Sequence, residues 1–224
     1  MTAPTAVQIR TLVAAELRTE ARTGTTLWTT LPYAVGALLV VALAVGADIP
    51  LLRRIGLGTY WSVVLLFGSM ACSRHGGTDL RARREMLLLL DVDPAVRFLS
   101  RTLASSVVVL AFATLLAPIA VILYDLTLTR PIAFGVSVVL VAAGIGTLGT
   151  LATDLTASAG TSLTSVALMV TPLSVPLMLA SVQVSQPTTT PTGVVAWWLL
   201  SLTAVLVFIA AGLLTARTLQ EVPA

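Results

Sequence analysis

The 224 residues contain no lysine, one cysteine and one histidine. The phosphate-binding loop of a P-loop ATPase needs a lysine on the phosphates, so this chain does not hydrolyse ATP by that route on its own. With Cys72 alone, no intramolecular disulfide can form. With His75 as its single imidazole partner, no Cys/His metal cluster can be assembled within one chain. Charge is scarce as well: 10% of the residues are charged, against about 25% in a soluble domain.

What the chain has instead is apolar surface. Hydrophobic residues make up 57% of it, and its mean hydropathy is +0.98. They come in long runs, which a single aqueous core could not hide. The expected fold class is an all-α integral membrane protein with six transmembrane helices. The spans are placed at about 27–47, 55–72, 99–124, 131–152, 162–184 and 194–216. Residues 1–26 form an N-terminal segment, 73–98 a connection between spans two and three, and 217–224 a tail. The second span reads as short. No small-residue cleavage site follows a short apolar core, so no signal peptide is expected.

Turn chemistry separates the spans. Asp48-Ile49-Pro50 closes the first, and Arg130-Pro131 opens the fourth. Asp93-Pro94 reads as an N-cap followed by proline at the first helical position of the third. Arginine placement sets orientation, because short cytoplasmic loops carry the excess of basic residues. Arg10, Arg18, Arg22, Arg74, Arg81, Arg83, Arg84, Arg97, Arg101 and Arg217 fall on one side; Arg53, Arg54 and Arg130 fall on the other. This predicts a multi-pass protein with both termini and the 73–98 connection in the cytoplasm. The Arg53-Arg54 pair runs against that pattern.

Helical periodicity gathers Ile9, Leu12, Val13 and Leu17 on one side of an N-terminal amphipathic helix at the membrane interface. Glu16 and Glu20 fall on the same side, with Arg18 and Arg22 opposite. Carboxylates turned into lipid are costly. Either the helix rotates and keeps the acids wet, or this face packs on protein, where the acids meet arginines of the 79–84 region or of a partner.

Spans four and five differ from the rest. Gly144, Gly146 and Gly149 suit close helix packing, and the neighbouring threonines can bond across helices. Pro172 and Pro176 each remove a backbone donor and push span five to kink or break. Reacting groups are missing: Asp48, Asp125 and Asp154 stand at span ends, and no paired catalytic residues occur. Trp197-Trp198 fits an interfacial aromatic belt. His75 beside Gly76-Gly77 reads as a solvated side chain, with ligation of haem iron as the alternative.

The densest information lies in "DLRARREMLLLLDVDP", Asp79 to Pro94. Asp79 and Arg83 stand four apart with the acid first, a favourable helical pair; Arg81 and Glu85 have the reverse order. The segment predicts a short helix over about 78–90, charged in its first half and Met-Leu-Leu-Leu-Leu in its second. One reading is positive-inside topology and contact with anionic lipid. The other is a docking element for a soluble partner, which mixed charge favours.

The order of these features resembles the B subunit of the cytochrome c maturation system (haem exporter protein B, CcmB), a family of ABC-2 type permeases. The resemblance is carried by "ELR" (Glu16 to Arg18), "LWTTLPYAVGALLV", "REMLLLLDVDPAVRFLSRTLAS" (Arg84 to Ser105), "GTLGTLATDLTASAG" (Gly146 to Gly160) and "VTPLSVPLMLASV" (Val170 to Val182). The chain departs from the family at "RARR" (Arg81 to Arg84), which stands where the family carries acidic residues. The resemblance implies a permease subunit of a prokaryotic cytoplasmic membrane, without enzymatic activity. It would work with a separate ABC ATPase subunit that binds ATP, with a second permease copy in a homodimer, and with a membrane subunit that handles haem. The 79–90 element would be the cytoplasmic coupling helix, and Asp79, Arg81, Arg83, Arg84 and Glu85, with Glu16, Arg18 and Glu20, would dock the ATPase. No cofactor is expected on this chain itself, haem being possible within the complex, and no nucleic acid is expected. The alternatives are a permease of the same type exporting a lipid or drug-like molecule, and a non-transport membrane scaffold.

Overall fold

The computed structural model describes residues 5–77, 93–159, 164–186 and 188–218. Among these residues the chain forms seven helices and no strand. They are α1 (Thr5–Thr23), α2 (Thr25–Val45), α3 (Ile49–Gly77), α4 (Pro94–Leu123), α5 (Pro131–Ala159), α6 (Thr164–Ser185) and α7 (Pro191–Thr218). Six of them, α2 to α7, hold segments long and apolar enough to cross a bilayer: Leu27–Val45, Ile49–Cys72, Pro94–Leu123, Pro131–Thr156, Leu168–Ser185 and Pro191–Ala216. The protein is an all-α, multi-pass integral membrane protein.

Local chemistry sets the helix ends. Gly24 takes φ +56° between α1 and α2, and Gly46 takes φ +74° where α2 stops. L side chains rarely adopt that region, so glycine fits both corners. Asp93 caps α4 by accepting from the Ala95 N–H at 2.9 Å, and Pro94 follows where a missing N–H costs nothing. The second span departs from the reading of 55–72: α3 begins at Ile49. Asp48 Oδ1 accepts from the Leu51 N–H at 3.1 Å, and Pro50 lies in the first turn, where no intrahelical donor is needed. Arg53 and Arg54 are therefore helical. α6 runs as one helix through Pro172 and Pro176, so of the expected kink or break the break does not occur.

α5 is the centre of the bundle. It packs against α3, α4, α6 and α7, and 67% of its most apolar window is buried, against 17% for α2. The main core lies between α2, α3, α4 and α5. Tyr60 and Trp61 stack edge to face with centroids 5.0 Å apart, and Phe134 lies 5.6 Å from the first ring and 5.7 Å from the second. Two tyrosine hydroxyls tie helices together: Tyr60 Oη donates to the Ala113 carbonyl at 3.0 Å and Tyr124 Oη to that of Leu38 at 2.8 Å. Bonded phenols are what an apolar interior tolerates. The outward faces remain apolar, with Val40, Leu43, Ile132 and Leu206 exposed, as a lipid-facing surface requires.

Candidate functional site

The chain leaves α3 at Gly77 and re-enters α4 at Pro94, so the charged connection joins two neighbouring helices at one end of the bundle. Asp79, Arg81, Arg83, Arg84 and Glu85 lie outside the described residues. What the structure describes is the membrane-domain frame around them: the last turns of α3, the first turns of α4, the end of α5, and α1.

α1 packs against α4. Ile9, Leu12, Val13, Glu16, Leu17 and Glu20 are half-buried, while Arg10, Arg18 and Arg22 are exposed. The acid-bearing face is thus turned toward protein, the second of the two alternatives read from the sequence. Glu16 and Glu20 both take part in polar interactions. Of the α1 residues expected to dock a partner, Arg18 is the one presented outward.

α4 and α5 are joined by polar groups. Arg101 Nη1 lies 2.5 Å from Asp154 Oδ1, and its Nη2 lies 3.5 Å from Thr153 Oγ1. Beside that pair, the hydroxyls of Thr102 and Thr150 meet at 2.9 Å in the interior. The expectation that threonines bridge helices holds for this pair. Thr147 and Thr156 instead bond to carbonyls of their own helix, the usual way a hydroxyl is satisfied within a helix.

The glycines of α5 set how closely its neighbours approach. A Cβ at Gly146 would lie 2.3 Å from Ser106 Oγ, 2.7 Å from the Ser106 backbone nitrogen and 2.8 Å from its Cα. At Gly149 it would meet Cys72 Cβ at 2.5 Å, and at Gly144 the Leu177 side chain at 2.3 Å. Gly146 therefore admits the backbone of α4, Gly149 the side of α3 and Gly144 that of α6. Cys72 completes the seam, its thiol donating to the Ile145 carbonyl at 3.8 Å. Gly212 of α7 plays the same part against the Phe98 ring, 2.0 Å from where its Cβ would stand. The result is a tightly interlocked α3–α4–α5 unit whose free ends flank the charged connection.

Sequence reasoning left several groups unassigned. Asp154 and Asp125 appeared only as acids at span ends, yet each holds an arginine from a distant helix. The Arg53 guanidinium pairs with Asp125. Asp125 takes φ +50°, a left-handed conformation in which aspartate is among the tolerated residues. Trp198 also packs inward: its Nε1 donates to Ser137 Oγ at 3.4 Å, and it packs against buried Ala133, Val184 and Val194.

Comparison with known proteins finds one family match on this frame. The family model described as CcmB protein matches residues 7–219. No curated protein matches the chain.

Proposed function

The chain belongs to the CcmB family, membrane permeases of haem export in cytochrome c maturation, and on that premise we propose that it is the membrane subunit of a complex driven by a separate ATPase. The observation that carries this reading is the extent of the match, which takes in all six spans and the charged connection. The chain has no lysine, so nucleotide hydrolysis through a P-loop must be supplied by a partner.

In this mechanism the 78–92 connection seats in a groove of the ATPase. Its mixed charge sets register and partner choice, and Arg18 on the outer face of α1 lies at the same end. ATP binding and hydrolysis displace the connection, and with it the ends of α3 and α4. Because Gly146 and Gly149 lock α5 onto both helices, the displacement moves a unit rather than a single helix, and packed helices of this kind shift between discrete arrangements. Two such permease subunits face each other in the complex, with both termini and the connection on the cytoplasmic side. Haem is handled by another membrane subunit, and this chain transmits the conformational work.

The test is recovery of the ATPase subunit with the detergent-extracted protein. Arg83→Glu with Arg84→Glu should reduce recovery strongly while the membrane domain inserts normally. Undiminished recovery would remove the docking role from this segment.

A further inference from the structure

The opposite end of the bundle carries an arginine-lined cavity that the coupling mechanism does not use. It has a volume of about 1160 Å³ and lies between α2, the first turns of α3, the 126–130 loop, Phe134 and the end of α6. Arg53, Arg54 and Arg130 all line it. Their environments differ. Arg53 is neutralised by Asp125, its Nε donating to Oδ2 at 3.0 Å. Arg54 and Arg130 have no acidic partner among the described residues. Moreover, Nη1 of Arg130 is buried with no hydrogen-bond partner among the described residues. A buried guanidinium nitrogen left unpaired is costly, and such groups call for a missing acceptor.

The rest of the lining defines what that acceptor is attached to. Ile55, Leu57, Leu126, Leu128 and Val182 give the cavity an apolar wall. Arg54 lies in the second turn of a span that starts at Ile49, and Arg130 immediately precedes the span that starts at Pro131. Both guanidinium groups therefore belong at the depth where the hydrocarbon core gives way to headgroups. Arginine presents a planar fork that matches phosphate and carboxylate oxygens, and the cavity is as large as the pockets that enclose whole small molecules, roughly 300–1,000 Å³.

We propose that this cavity binds an amphipathic oxyanion, an anionic phospholipid whose phosphate is held between Arg54 and Arg130 while its chains lie along the apolar wall. The site is independent of the ATPase docking at the other end. Arginines that merely snorkel to bulk headgroups would need neither the cavity nor a buried nitrogen.

The experiment is native mass spectrometry of the full chain in detergent. The probes are dioleoyl phosphatidylglycerol, dioleoyl phosphatidylcholine, oleate and inorganic phosphate, each added separately. The wild-type chain should retain phosphatidylglycerol in preference to the other three. Arg54→Gln with Arg130→Gln should lower that retention about tenfold, as expected for loss of charge-assisted contacts. Arg10→Gln with Arg22→Gln, which removes the same charge from exposed positions at the far end, should leave it unchanged. Slow labelling of buried Cys72 checks that the variants are folded. Should the glutamine pair misfold, Arg54→Lys with Arg130→Lys keeps the charge, loses the fork, and should still weaken retention. Equal retention by the substituted and wild-type chains would overturn the site, as would equal loss in the Arg10/Arg22 control. A preference for oleate or free phosphate would overturn the phospholipid assignment.

Discussion

Replacing Gly146 by alanine tests the interlocked α3–α4–α5 unit directly. The added methyl would stand 2.3 Å from Ser106 Oγ and 2.7 Å from its backbone nitrogen. A hydroxyl can rotate away, but the nitrogen and Cα of α4 can yield only if the two helices separate. Overpacking of this kind costs about 1–3 kcal/mol. Alanine also brings a helix-propensity gain of about 1 kcal/mol over glycine, which would mask part of the loss. Gly135→Ala on the same helix supplies the reference, because a Cβ there meets nothing within 4 Å and collects the same gain. The difference between the two variants should therefore appear as a drop of roughly 2–12 °C in melting temperature for Gly146→Ala. Cys72 provides the assay. It is the sole cysteine and is 3% exposed, so a thiol-reactive fluorogenic dye reports its release on heating. Equal melting temperatures for the two variants would refute the claim that Gly146 sets the approach of α4 to α5.

Other substitutions probe separate parts of the frame. The Arg101–Asp154 pair, with side chains 22% and 30% exposed, should show a coupling energy of about 0.5–3 kcal/mol in a double-mutant cycle with Arg101→Gln and Asp154→Asn. The Arg53–Asp125 pair, 51% and 63% exposed, should give only about 0–1 kcal/mol; a larger coupling there than at Arg101 would reverse the assignment of the buried link. Tyr124→Phe removes the bond to the Leu38 carbonyl and should destabilise by about 0.5–1.5 kcal/mol in the same dye assay, an unchanged melting temperature counting against that tie.

Much of the architecture could be read from local pattern. Span positions follow from hydropathy, the Asp93-Pro94 start of α4 from capping chemistry, and the glycines of α5 from their spacing. All three signals lie within a few residues of their effect. α3 begins at Ile49 rather than near residue 55, and the pairing of its Arg53 with Asp125, 72 residues away, has no local signature. Similarly, Arg101 and Asp154 are 53 residues apart, and no pattern in the chain says that their helices face each other. The tie between Tyr60 and Ala113 is equally invisible, since a carbonyl carries no sequence signature. At the α1 end the sequence left two positions for Glu16 and Glu20, and only the packing of α1 on α4 chose between them. The coupling role proposed for Asp79 to Glu85 rests on their charge pattern and on the family.

The central claim is that the connection between α3 and α4 is where a separate ATPase engages this permease. A photo-crosslinking residue placed at Arg83 in the assembled complex tests it most directly, with the same residue at lipid-facing Leu206 of α7 as the comparison. The account predicts a crosslink from position 83 to the ATPase subunit and none from position 206. An ATPase crosslink from both positions, or from neither in a complex shown to be assembled, would contradict it.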